Sequence, residues 1–177
     1  METTRQPLPP ATQRFLDGLS DYIGEPLYFF GSVQRFDYIP GKSDVDIEVF
    51  ADDEQTMMRK MSIYLHVDPD AFEKVVWKLD GRFVYGYKLQ YTHKDIVAEF
   101  SLFNSRFKEA VQKEHYSKTD LPLWIIALLY VLKLAYYNLG IVPKHLYNVT
   151  KRFILNTLFL CDESLFLLIP PPPLPHT

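Results

Sequence analysis

Two carboxylates two residues apart, Asp44 and Asp46, follow a Gly31-Ser32 pair after a spacer of eleven residues. Glycine lets the backbone come close to an anion, a serine hydroxyl donates a hydrogen bond, and the start of a helix favours phosphate. Arg35, one turn further on, is placed to assist. Alternation from Asp44 to Phe50 puts Asp44, Asp46 and Glu48 on one face of a strand and Val45, Ile47 and Val49 on the other. The Asp44 and Asp46 Cα atoms are then about 6.6 Å apart, and their charges repel by about 2.5 kcal/mol at an effective dielectric of about 20. A divalent cation between them removes that repulsion, and hard oxygen ligands select Mg2+ or Mn2+. In the 96–103 stretch, Ile96, Ala98, Phe100 and Leu102 face one way, and Val97, Glu99 and Ser101 the other. Glu99 is the acid inside that strand, so it is the candidate third ligand of a two-metal site. Asp95 shares its parity but falls at the turn, about 13 Å along the strand. Glu48 is expected to be solvated.

The elements that must position these groups follow from periodicity and punctuation. Phe15, Leu16, Leu19, Tyr22 and Ile23 recur at helical spacing and stop at Gly24. Leu27-Tyr28-Phe29-Phe30 reads as a short buried strand entering Gly31, and Ile39-Pro40-Gly41 as a break. Met57, Met58, Met61 and Leu65 mark a helix over 54–65. Asp68-Pro69 with Phe72, Val75, Val76 and Leu79 predicts a second helix, closed by Asp80-Gly81. Residues 82–92 alternate, with Phe83, Tyr85, Tyr87, Leu89 and Tyr91 on one side, before a turn at 92–95. Helices are predicted over 105–115, 120–138 and 144–168, with an extended proline tail at 170–175. The fold class is α+β: a small mixed, twisted sheet flanked by helices over 1–104, a helical bundle packed on it over 105–169, and the tail at 170–177.

Composition narrows the function classes. With 177 residues and 47% hydrophobic content, a core can form without staples. One cysteine, Cys161, allows neither an internal disulfide nor a cysteine zinc site, which fits a reducing, intracellular compartment, cytoplasmic or nuclear. Cys161 is expected in the core. A net charge of −3 argues against long duplex DNA as a partner. The first eleven residues lack a secretory pattern. The uninterrupted apolar run from Leu123 to Leu132 is ten residues against the roughly 20 a membrane span needs, so a buried core helix is expected and no membrane.

Phe29-Phe30-Gly31-Ser32, an eleven-residue spacer ending in Ser43, then Asp44-Val45-Asp46-Ile47 and the later strand acid Glu99 together resemble the DNA polymerase β-like nucleotidyltransferase superfamily, across about residues 27 to 103. Two departures stand out: Glu99 occupies the place of a third acid that is usually Asp, and Phe36 follows Arg35 where many members have Gly. The resemblance implies a metal-dependent transferase moving a nucleoside monophosphate from an NTP, ATP among them, to a hydroxyl with release of pyrophosphate. It implies that Gly31, Ser32, Arg35 and Ser43 surround the triphosphate, that Asp44, Asp46 and Glu99 bind Mg2+ or Mn2+, and that Lys133 on a bundle helix reaches the triphosphate. RNA 3′ ends, a protein and a small molecule are all compatible acceptors. A catalytically inactive binding or scaffold module of the same fold is the alternative, motivated by Glu99 and by a proline tail suited to an SH3- or WW-type partner. Tyr130, Tyr136 and Tyr137 are expected either to stack on a base or to pack in the core. No role is assigned to the five histidines (66, 93, 115, 145 and 176), which lack metal-ligand spacing.

Overall fold

The structure, a computed structural model, describes residues 2–79, 81–117, 119–157 and 166–169. Its frame is a six-stranded mixed sheet in the order β1-β2-β5-β4-β3-β6, where β1 is Tyr28–Phe30, β2 Val45–Ala51, β3 Glu73–Leu79, β4 Arg82–His93, β5 Ile96–Asn104 and β6 Phe166–Ile169. β2 and β5 run parallel at the centre, and the other pairs are antiparallel. The helices are α1 (Pro10–Ile23), α2 (Glu54–Leu65), α3 (Lys108–Ser117), α4 (Leu123–Tyr137) and α5 (Lys144–Thr157).

Alternation assigns the two faces of the sheet. Val45, Ile47 and Val49 of β2 and Ala98, Phe100 and Leu102 of β5 share a buried cluster with Leu16, Leu19 and Ile23 of α1 and Met57, Met61 and Leu65 of α2. Asp53 caps α2 by accepting from Thr56 N–H, and Gly24 ends α1 in the left-handed region. The opposite face is graded along the strands. At one end Phe50, Val75, Trp77, Val84 and Phe103 form a second cluster beneath Val111 of α3. At the other end the same face carries Asp46, Glu99, Lys88 and Glu73. The polar face of the sheet therefore begins where α3 stops covering it.

Several expected elements differ. Residues 73–79 form a strand, with only a single 3-10 turn at Pro69–Ala71 before it. Phe72, Val75, Val76 and Leu79 satisfy a helical stripe. Val75, Trp77 and Leu79 equally satisfy a period of two, and pairing with β4 decides between them. Residues 166–169, read as helix, are an edge strand on β3. Phe83 and Tyr85 are exposed, because the cluster beneath α1 and α2 extends along β4 only as far as Tyr87. The α4 helix is buried on one side alone: Ile125, Ile126 and Leu129 pack with Ile154 of α5, while Leu123, Trp124 and Val131 are exposed. None of the helices among the described residues is long and apolar enough to cross a membrane. Asp80, Cys161 and the proline tail lie outside the described residues.

Candidate functional site

In the register of β2 and β5, Asp46 stands directly beside Glu99, and Phe30 at the end of β1 stands beside Asp46 on its other flank. Adjacent strands are about 4.8 Å apart, so the two carboxylates share one small region of the sheet face. Asp44 immediately precedes β2 on the same face.

Burial and the neighbouring charges of Asp44 and Glu99 push the Asp46 carboxyl up from 3.8 to about 8, against smaller opposing effects of Lys151 and Arg35. This is the behaviour of negative groups crowded together out of water. Asp44 also acts on the other side. Burial first, and then its charge, raise Tyr38 and Tyr147 to about 12, and Tyr137 is raised by burial, Tyr147 and Asp44.

The chain turns sharply after β1. Gly31 has φ +69, and a methyl group added there would collide with Oδ2 of Asp46. Glycine is thus required twice, by the backbone angle and by the carboxylate lying against its Cα. Gly31–Gln34 form one 3-10 turn, too short to supply a helix dipole, so the expected helix-terminus contribution is reduced to local N–H groups. The Ser32 hydroxyl is buried with no hydrogen-bond partner. An unmet buried donor in a cavity wall fits an anionic ligand.

Phe30, Gly31, Ser32, Arg35, Asp46 and Glu99 line one cavity of about 580 Å³. A second, of about 750 Å³, is lined by Asp44, Glu73, Gln90 and Asn148 and shares Lys88, Glu99, Lys151 and Arg152 with the first.

The remaining candidates are placed differently. Ser43 and Lys133 line neither of these two cavities. Lys133 is 3% exposed, and its Nζ bonds Asp37 Oδ2 and the Asp37 carbonyl at 3.0 Å each and Ser43 Oγ at 3.3 Å. Arg35 donates to the same carboxylate, Nε to Oδ1 at 2.8 Å. Asp37 is fully buried, yet its carboxyl is held below 3.8, because Arg35 and Lys133 together outweigh the desolvation. Lys133 therefore clamps α4 to the loop that precedes β2. Tyr136 stacks on Tyr147 at 4.4 Å and meets Tyr137 edge-on, so these rings pack on one another.

Three features were missed. Lys151 and Arg152 of α5 face the acids across the cavities, where the sequence shows only a polar helical step. Glu48 is not solvated: it is 1% exposed and its carboxylate is in hydrogen-bond contact with His115 Nδ1 of α3. The His115 ring stacks on Phe30 at 3.9 Å and lies 4.9 Å from Trp77. Lys88 Nζ bonds Glu99 Oε1 at 2.7 Å.

The residues fit a divalent cation in donor chemistry, all carboxylate oxygen, and in the crowding of Asp44, Asp46 and Glu99 that raises the Asp46 carboxyl. Among the described residues no three His, Cys, Asp or Glu side chains stand grouped as a ready metal cage, and Glu99 is held by Lys88 instead.

No protein-family model and no curated protein matches the chain. Among solved structures it is similar to a cytoplasmic RNA terminal U-transferase, at 18% identity and TM-score 0.42 over 73% of this chain and 42% of that one. It is similar to the Cid1 poly(U) polymerase with MgGTP bound, at 17% identity and TM-score 0.43 over 71% and 40%. It is also similar to the GLD-2/RNP-8 complex, at 17% identity and TM-score 0.40 over 82% and 55%. The chain spans about two fifths of the length of the first two. The likeness is distant.

Proposed function

We propose that this chain is a divalent-metal-dependent nucleotidyltransferase that moves a nucleoside monophosphate from an NTP to an acceptor hydroxyl. The observation that carries the reading is Asp46: a carboxylate beside Glu99, close to Asp44, lying against a glycine whose positive φ and close contact disfavour any side chain, in a cavity whose wall holds the unpartnered Ser32 hydroxyl. Asp44, Asp46 and Glu99 hold Mg2+ or Mn2+, which when bound neutralises the triphosphate and the charge developing at the α-phosphorus. Gly31 gives the phosphates access to backbone N–H groups, Ser32 donates its hydroxyl, and Lys151 and Arg152 supply positive charge from α5. The acceptor oxygen forms a bond to the α-phosphorus, the bond to the β-phosphate breaks, and pyrophosphate leaves. The acceptor's proton passes to Glu99, which borders both cavities. An RNA 3′ end, a protein hydroxyl or a small molecule serves as acceptor.

The test is a panel of four labelled NTPs with Mg2+ or Mn2+ and an acceptor mixture. Transfer that Asp46→Ala abolishes, in a variant that still folds, supports the reading. Purified chain that neither binds metal-NTP nor transfers label to itself, RNA or small hydroxyl compounds refutes it. A silent binding module is the second reading, favoured by the Lys88 hold on Glu99. It expects no metal-dependent stabilisation by any NTP.

A further inference from the structure

We propose that Lys88 is a resident counter-ion for Glu99, which keeps the third acid away from the metal position until a divalent cation displaces it. The inference rests on the metal-binding reading of Asp44, Asp46 and Glu99 and goes beyond it by naming what occupies one ligand beforehand.

The strand register makes the contact a choice between two directions. Glu99 has Asp46 beside it on β2 and Gln90 beside it on β4, while Lys88 is paired with Ser101, one step along the same face. Lys88 thus reaches Glu99 along a diagonal, a separation of about 7 to 8 Å between strand positions that only long side chains cross. Lys and Glu do cross it, and Nζ meets Oε1 at 2.7 Å. The extra methylene of glutamate relative to aspartate acquires a purpose here. An aspartate at position 99 is shorter by one carbon and is left to face Asp46, whereas Glu99 can turn to either side.

Two further observations agree. Lys88 and Glu99 each line both cavities, so the bridge stands where the two meet. With side chains 22% and 16% exposed, the pair is neither a solvated surface bridge nor sealed in the core, and it can be exchanged for another cation.

The test uses the full chain and Mn2+ alone, without nucleotide, followed by calorimetry in wild type, Lys88→Met and Asp46→Asn. Methionine keeps the length of the side chain and removes its charge. A unit positive charge about 6 Å from a divalent ion weakens binding roughly tenfold even in a water-like dielectric, so Lys88→Met is expected to bind Mn2+ at least roughly tenfold more tightly than wild type. Equal or weaker binding by Lys88→Met, while wild type binds and Asp46→Asn does not, overturns this inference and leaves the metal site standing. Failure of both wild type and Lys88→Met to bind Mn2+ overturns the inference together with the function it rests on.

Discussion

Replacing Asp46 with asparagine isolates the electrostatic cost of the acid cluster from its chemical use. In the metal-free chain Asp46 is pushed up from 3.8 to about 8 by burial and by the charges of Asp44 and Glu99. The folded state therefore binds a proton that the unfolded state has already lost, throughout the window between those values. Stability is full below about pH 4 and falls as pH rises toward 8, since the slope follows the difference in bound protons. At 1.36 kcal/mol per pH unit the cost between pH 5 and pH 8 is at most about 4 kcal/mol. The carboxylate lines a cavity that water can enter, which screens part of this, so roughly 2 to 3 kcal/mol is expected. Asparagine keeps the shape and carries no charge. In EDTA, urea denaturation at pH 5, 6, 7 and 8 should show wild type losing stability with rising pH. The Asp46→Asn curve should stay flatter and lie above wild type at pH 8. Other titrating groups cancel in the difference. If the two curves run parallel from pH 5 to pH 8, or if the variant is the less stable at pH 8, the crowding argument is wrong.

Three other substitutions separate roles that the sequence leaves entangled. Ser32→Ala removes a buried hydroxyl without a partner, so thermal denaturation should show unchanged or slightly higher stability of the free chain, by up to about 1 kcal/mol, while NTP affinity falls. Gly31→Ala meets both a positive φ and the Asp46 carboxylate; equilibrium denaturation should show a loss of about 2 kcal/mol or more, and calorimetry a loss of metal binding. Lys133→Met leaves Asp37 buried with Arg35 alone, and a broken buried pair costs about 3 to 5 kcal/mol. Its denaturation midpoint should drop sharply, whereas NTP affinity in the folded fraction stays near wild type if Lys133 is a clamp and not a phosphate ligand.

The alternation in β2 and β5 carries enough information to bring Asp46 and Glu99 to one face, because a period of two on a half-buried strand leaves no other choice. The same logic fails at 73–79, where Phe72, Val75, Val76 and Leu79 suit a helix, Val75, Trp77 and Leu79 suit a strand, and only the pairing with β4 decides. Lys133 illustrates a second kind of limit. A lysine in an apolar helix must find an anion, but Asp37 lies 96 positions away, and nothing local distinguishes it from a triphosphate. Glu48 and His115 are likewise 67 positions apart, and the depth of that pair is set by Phe30 and Trp77 closing around the ring. Lys88 is hidden in a strand whose sequence signal is its aromatic face, opposite the polar one that meets Glu99. Lys151 and Arg152 sit at the solvent-like step of α5 and acquire meaning only when that helix is folded across the cavities.

The most direct test of the central claim is Mn2+ binding with and without NTP, measured by calorimetry on wild type, Asp44→Asn, Asp46→Asn and Glu99→Gln. Convergence of the three acids predicts that wild type binds Mn2+, that NTP tightens it, and that each substitution weakens it at least tenfold while circular dichroism shows the fold intact. Binding that survives all three substitutions unchanged, or no binding by a folded wild type with any NTP, would contradict it.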